Sequence, residues 1–143
     1  MAIIQIVATA RSKASAALVF ALLKDGETWP RWSMFDSFEL ERSGAAEPMG
    51  LGAIRVFRTS ASCAREEIVE LIPDRQLSYV LLSGFPFRDY RADVTLEPRD
   101  GGTEITWRAS FAPKYAGTGW FWRAFMTSVL QKVATQLARG PES

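Results

Sequence analysis

The feature that most constrains this chain is a two-residue alternation over residues 90–97 and 103–111, which gives way to a helical period running almost to the last residue. Tyr90, Ala92, Val94 and Leu96, then Ile105, Trp107, Ala109 and Phe111, share one parity. Arg91, Asp93, Thr95, Glu97, Glu104, Thr106 and Arg108 hold the other. Successive side chains of an extended chain point to opposite faces, so each run makes a strand with one apolar and one wet face. Asp100-Gly101-Gly102 between them is turn chemistry. From Gly117-Thr118-Gly119 onward, Trp122, Met126, Val129, Val133 and Leu137 form one stripe ending near Gly140, which predicts a long helix over 118–139. An apolar sheet face closed by one long helix is the architecture this pattern favours.

The rest of the chain extends the same scheme. Runs at 52–59, 62–72 and 76–83 precede the two strands just described, with a short run at 38–43 before them, and Pro73-Asp74 and Gly84-Phe85-Pro86 supply turns. Residues 2–10 are alternating and β-branched, which predicts a strand. Ser12 then offers an N-cap to an Ala/Leu-rich helix reaching Lys24, with Leu18, Val19 and Leu22 on a shared face and Asp25-Gly26 as its stop. Trp29-Pro30-Arg31-Trp32 reads as a second, short helix with Pro in its first turn, leading into Phe35 and Phe38. The predicted order is strand, two helices, six strands, long helix. No linker, repeat or low-complexity tract divides it, so residues 1–143 are expected to form one domain around one core.

Composition removes whole classes of chemistry. Seventeen Lys and Arg against sixteen Asp and Glu leave a net charge of +1, too weak a field to suggest nucleic acid as a partner. With no histidine and a single cysteine, Cys63, Ser-His-Asp and Cys-His relays, histidine metal sites and cysteine metal cages are out of reach, and no metal or cofactor is expected. Cys63 cannot form an internal disulfide and has no basic neighbour but Arg65 to activate it. The longest apolar run, Ala16–Leu23, is far short of the roughly 20 residues of a membrane span, and the first residues lack the pattern of a secretory signal. A cytoplasmic protein, a monomer or weak homodimer, is the expectation. Five Trp and nine Phe are many for this length, and a cavity lining is one place to use them. The start of the last helix, Trp120-Phe121-Trp122 and Phe125-Met126, is apolar nearly all round and is expected to be wrapped by loops or by a bound molecule.

Among individual residues, Arg55 and Glu66 stand out. If Ser60-Ala61 is a two-residue hairpin loop, Thr59 faces Ser62, Phe57 faces Ala64, and Arg55 faces Glu66 directly. An inward Phe57 and Ile68 would carry this charged pair inside; inward Ile54 and Val56 would leave it as an exposed cross-strand salt bridge. Tyr79 and Tyr90 put phenols on an apolar face, where a hydroxyl either caps the core or meets a ligand. Tyr90 adjoins the loop 84–89, close to where a cavity mouth belongs. Trp107 points inward by parity, as wall or core. Trp29, Trp32, Trp120, Trp122 and Phe125 sit at helical spacing, where aromatics ordinarily pack, but in Gly- and Pro-bounded segments from which a gate can be built.

Taken in order, several motifs carry a resemblance. They are Trp29-Pro30-Arg31-Trp32, Gly50-x-Gly52-x-x-Arg55, Glu66-Glu67-Ile68-Val69-Glu70, Pro73-x-Arg75-x-Leu77-x-Tyr79, Gly84-x-Pro86 with Tyr90, Gly101-Gly102-Thr103-x-Ile105-x-Trp107, and the Gly-rich entry to the last helix. The chain resembles the START-like (SRPBCC) superfamily, and within it the polyketide cyclase/dehydrase and lipid-transport branch. This resemblance implies an α+β helix-grip fold: a curved antiparallel sheet of six to seven strands wrapped around a long C-terminal helix, with two short helices after the first strand. It also implies a cavity for an apolar small molecule, expected at roughly 300–1,000 Å³ between sheet and helix.

Lining positions in ligand-binding relatives correspond to Gly-x-x-Arg and the Glu-bearing strand that follows, which places Arg55 and Glu66 inside. Arg55, Glu66 and Tyr90 are then the expected polar contacts. Phe57, Tyr79, Val94, Trp107, Phe125 and Val129 are the expected wall, and Trp29, Trp32, Trp120 and Trp122 the expected gate. The function implied is binding or transport of a lipid, polyketide or aromatic metabolite. A polyketide cyclase or dehydratase is the alternative, with Glu66 as base and Arg55 or Tyr90 polarising a carbonyl. Against it stands the expectation that Arg55 holds Glu66 ionised with a lowered pKa. A third reading, interaction with a protein in the manner of chaperone activators, would use the outer sheet face, whose mixed charges resemble a solvated surface.

Overall fold

The computed structural model describes residues 3–142, so Ala2 of the expected first strand and Ser143 of the tail lie outside the described residues. Strand β1 spans Ile4–Ser12 and helix α1 Ala16–Lys24. A 3-10 turn (Gly26–Thr28) joins α1 to the short helix α2, Trp29–Trp32. Then come β2 (Ser37–Arg42), β3 (Ile54–Arg58), β4 (Cys63–Ile72), β5 (Gln76–Ser83), β6 (Phe87–Arg99), β7 (Gly102–Pro113) and helix α3 (Gly119–Arg139). The strands form one antiparallel sheet in the order β1-β7-β6-β5-β4-β3-β2. This is the helix-grip arrangement: a curved sheet with a long C-terminal helix on its apolar face. β1 and β2 lie at opposite edges, and α1 and α2 carry the chain from one to the other. Among the described residues, no helix is long and apolar enough to cross a membrane.

The alternation of β6 and β7 does what its parity dictates. Tyr90, Ala92, Val94 and Leu96 are buried beside Ile105, Trp107, Ala109 and Phe111, with Val94 opposite Trp107. Onto this face α3 lays Met126, Leu130, Val133, Ala134 and Leu137. Each large side chain fully buried there is worth about 1.5–3 kcal/mol.

Three expectations are corrected. Ser12 does not cap α1; it closes β1, and its hydroxyl accepts from the Ala14 N–H. The cap is Ser15, whose side chain accepts from the Leu18 N–H at 3.3 Å. With the helix starting later, its buried stripe is Ala16, Val19, Phe20 and Leu23, at the i, i+3, i+4, i+7 spacing of one face. Leu18 therefore faces outward, 58% exposed. Loops do not wrap the start of α3 all round: Met126 is buried and Trp122 half-buried, but Trp120, Phe121 and Phe125 are exposed, because their aromatic run turns right round the helix while the sheet can cover only one side.

Strand β3 departs from simple alternation, since Ile54, Arg55, Val56 and Phe57 are all buried. Register explains it. On the outer face Ile54 is flanked by Arg42 and Glu67, and Val56 by Glu39 and Arg65. The ion pairs Arg42–Glu67, Arg58–Glu39 and Arg65–Glu41 draw the stems of these long side chains together around the two aliphatics.

Candidate functional site

The β3–β4 hairpin sets the site. The Thr59 N–H donates to the Ser62 carbonyl at 2.9 Å, which closes a two-residue loop and pairs Phe57 with Ala64 and Arg55 with Glu66. Phe57 and Ile68 are fully buried, and Arg55 and Glu66 lie inside with them at 0% and 6% exposure. Beside them is a cavity of about 290 Å³, just under the range expected. Its lining comes from six places. The α2–β2 segment gives Trp29, Met34 and Phe35; the hairpin gives Thr59, Ala61, Ser62, Ala64 and Glu66; and β5 with its following turn gives Tyr79, Leu81 and Phe85. Tyr90 and Trp107 come from β6 and β7, and α3 contributes Phe125, Met126, Val129, Leu130 and Val133.

Arg55 and Glu66 are cross-strand neighbours but form no ion pair, contrary to expectation. The Arg55 guanidinium is turned to the end of α1, where Nη1 donates to the carbonyls of Leu23 and Lys24, both at 3.0 Å. These carbonyls belong to the last turn of a helix, which has no internal donors left for them and carries partial negative charge, so a cation suits the place. The same guanidinium lies 5.4 Å from the Trp29 ring and 5.1 Å from that of Phe57. Arg55 thus fastens α1 to β3 and does not line the cavity. Its Nε and Nη2, and Oε1 of Glu66, are buried without hydrogen-bond partners.

The electrostatics follow. Burial raises the Glu66 carboxyl to about 7, and the through-space attraction of Arg55 offsets only part of that rise. This reverses the lowering expected of an ion pair. Burial likewise lowers the Arg55 pKa, opposed by Glu66. The Tyr79 and Tyr90 phenols are both raised, mainly by burial, so they remain neutral donors at ordinary pH. The Trp107 Nε1–H donates to the Tyr79 hydroxyl at 3.2 Å, and the two tyrosine rings are 6.2 Å apart.

Of the other expected residues, Tyr79, Tyr90, Trp107, Phe125 and Val129 line the cavity. Phe57 and Val94 do not: Phe57 lies stacked on Trp29 at 4.3 Å, and Val94 is core. The four gate tryptophans separate. Trp29 is a fixed piece of wall, its Nε1–H held by the Leu23 carbonyl at 3.1 Å. Trp32 is core, bonded to the Thr28 hydroxyl. Trp122 is half-buried, edge-on to Phe85 and Phe87, while Trp120 projects outside at 76% exposure. Phe85 and the 40%-exposed Phe125 line the cavity together, with ring centroids 6.3 Å apart. Nothing in the Gly-x-Pro turn marks Phe85 for the cavity, since such turns ordinarily carry solvent-facing residues; in the fold it stacks on Phe87 at 5.5 Å. Val133 belongs to the predicted stripe, and Leu130, which that stripe did not include, lies four residues after Met126.

The arrangement offers one carboxyl that titrates near neutrality and two neutral phenols in an otherwise apolar wall. Such a set can accept or donate a hydrogen bond, or exchange a proton, at neutral pH.

The comparisons agree with this geometry. The family described as polyketide cyclase / dehydrase and lipid transport matches residues 4–140. A START superfamily protein from Mycobacterium smegmatis has a TM-score of 0.83 at 14% identity, over 96% of this chain and 97% of that one. A protein from Thermobifida fusca, solved in solution, has a TM-score of 0.79 at 24% identity, over 96% and 92%. Ara h 8.0201 has a TM-score of 0.75 at 16% identity, over 99% and 96%. At these identities the likeness is one of fold. No curated protein matches the chain.

Proposed function

The chain belongs to the polyketide cyclase / dehydrase and lipid transport family, and on that premise we propose that it binds one small apolar or amphipathic molecule in the cavity beneath α3. The observation that carries this reading is the wall: Glu66, Tyr79, Tyr90, Thr59 and Ser62 are its polar residues, and aromatic and aliphatic side chains make up the rest. A mostly apolar cavity is poor at holding water and gains from an apolar guest. An environment-sensitive apolar dye is expected to bind with one-to-one stoichiometry and to be displaced by flat aromatic compounds. Absence of saturable uptake would overturn the reading.

One observation favours a second reading, a cyclase or dehydratase. A Glu66 pKa of about 7 is close to what a general base or acid needs at neutral pH, so the expectation that weighed against catalysis no longer does. Incubation with a short poly-β-keto mimic tests it. Ring closure accelerated by the protein and lost in Glu66→Gln supports an enzyme; unchanged mimic supports a binder. Nothing favours docking through the outer sheet face, where Arg91 is taken up by Glu70 at 2.8 Å and Asp93 at 3.1 Å.

A further inference from the structure

The polar atoms around the cavity are few, and most are already engaged. Trp29 and Trp107 give their indole N–H groups to the Leu23 carbonyl and the Tyr79 hydroxyl. The Thr59 and Ser62 hydroxyls bond each other at 2.9 Å, and Thr59 Oγ1 also accepts from the backbone of the hairpin loop. What stands out is Glu66, which lines the cavity at 6% exposure with Oε1 lacking any donor. Its cationic neighbour does not serve it, because Arg55 is outside the cavity wall with Nη1 committed to α1. A buried acceptor without a donor is destabilising, and a guest that brings the donor recovers that loss.

Building on the reading of the chain as a small-molecule binder, we propose that the cavity takes a compact molecule of about two fused rings whose polar end is a hydroxyl donating to Glu66. Tyr90 strengthens the choice of a hydroxyl. It lines the same cavity and lies within electrostatic reach of Glu66, and a hydroxyl can donate to the carboxyl while accepting from a phenol. A carboxylate end fits badly, since it would face Glu66 with no cation on the wall to separate them. Size follows from volume: 290 Å³ is about twice the ~150 Å³ that admits one benzene. Such a space holds a bicyclic molecule and excludes a complete long acyl chain.

Isothermal titration of the full chain at about pH 8, where Glu66 is mostly ionised, with 2-naphthol, its isostere 2-methylnaphthalene and 2-naphthoate is the test. 2-Naphthol is expected to bind one-to-one, and 2-methylnaphthalene about 10- to 100-fold more weakly, the range for a hydrogen bond to a charged group. Naphthoate is expected to bind more weakly than 2-naphthol, and Glu66→Gln to narrow the gap between 2-naphthol and 2-methylnaphthalene to a few-fold. Equal affinity of 2-naphthol and 2-methylnaphthalene for the wild-type chain, or tightest binding of naphthoate, would overturn this inference and leave the binder reading standing. Failure of all three to bind would overturn both. The wild-type comparison decides the matter even if Glu66→Gln does not fold.

Discussion

Replacing Arg55 by Met separates two accounts of the buried charges. Met removes the guanidinium that lies over Trp29 and Phe57 and has no donor for the Leu23 and Lys24 carbonyls, each now held at 3.0 Å, although Leu23 keeps the Trp29 indole N–H at 3.1 Å. A hydrogen bond to a charged group contributes about 1.5–3 kcal/mol, and a buried acceptor left unpaired costs a comparable amount. Two such bonds, partly offset by relief of the desolvated cation, put the expected loss at about 3–5 kcal/mol. At roughly 2–4 °C per kcal/mol for a domain of this size, the melting temperature should fall by about 10 °C. Urea unfolding followed by tryptophan fluorescence measures it, at pH 6 so that Glu66, with its pKa of about 7, is mostly protonated. Glu66→Gln should then cost less than about 1 kcal/mol, and the double variant should lose about as much as Arg55→Met alone, a coupling below about 1 kcal/mol. Equal losses from the two single variants with a coupling of about 3 kcal/mol or more would refute the α1 anchor and restore the direct ion pair.

Three further outcomes are expected. Because the folded-state pKa of Glu66 is raised from 4.5 to about 7, the folded state binds the extra proton between those values. The sign is therefore opposite to that of a salt-bridged carboxylate: stability is greatest below about pH 4.5 as far as Glu66 is concerned, falls as pH rises to about 7, and is flat above. The loss from this group is about 3 kcal/mol at most, and Glu66→Gln should remove that slope from a pH series of unfolding curves. Val129→Trp, placed in the wall, should fill the cavity and abolish dye uptake while the circular dichroism spectrum stays that of the parent; retained uptake would move the site elsewhere. Gly84 has φ +126°, and a Cβ there would lie 2.5 Å from the Cys63 carbonyl oxygen, so Gly84→Ala should cost more than about 2 kcal/mol in urea unfolding, and a smaller loss would mean that the turn can relax.

The parts of the fold legible in the sequence are those where one face is wet and one dry. Val94, Leu96, Ile105 and Trp107 could be placed on one buried face because charged residues alternate with them. The loop Ser60-Ala61 alone was enough to set Arg55 opposite Glu66. Alternation failed as a guide at β3, where Ile54 and Val56 are covered from outside by the stems of Arg42 and Arg65. Cross-strand opposition says which Cβ atoms are neighbours, not where a five-donor guanidinium will point. Arg55 found the helix-end carbonyls of Leu23 and Lys24, which are 32 and 31 residues away in sequence, and so left Glu66 without a donor. That long-range competition, invisible to periodicity, decides the electrostatics of the site. The place of Phe125 was obscure for a related reason: Trp120 and Phe125 look alike in a helical aromatic run, and only the position of the sheet leaves one outside and one at the cavity.

The central claim, that a small molecule sits between α3 and the sheet, is tested most directly by intermolecular nuclear Overhauser effects from 2-naphthol to isotope-labelled protein. The account predicts contacts from the ring protons to the methyl groups of Met126, Val129 and Leu130, which line the cavity, saturating at one equivalent. Contacts confined to the exposed Trp120 and Phe121, or none that saturate, would contradict it.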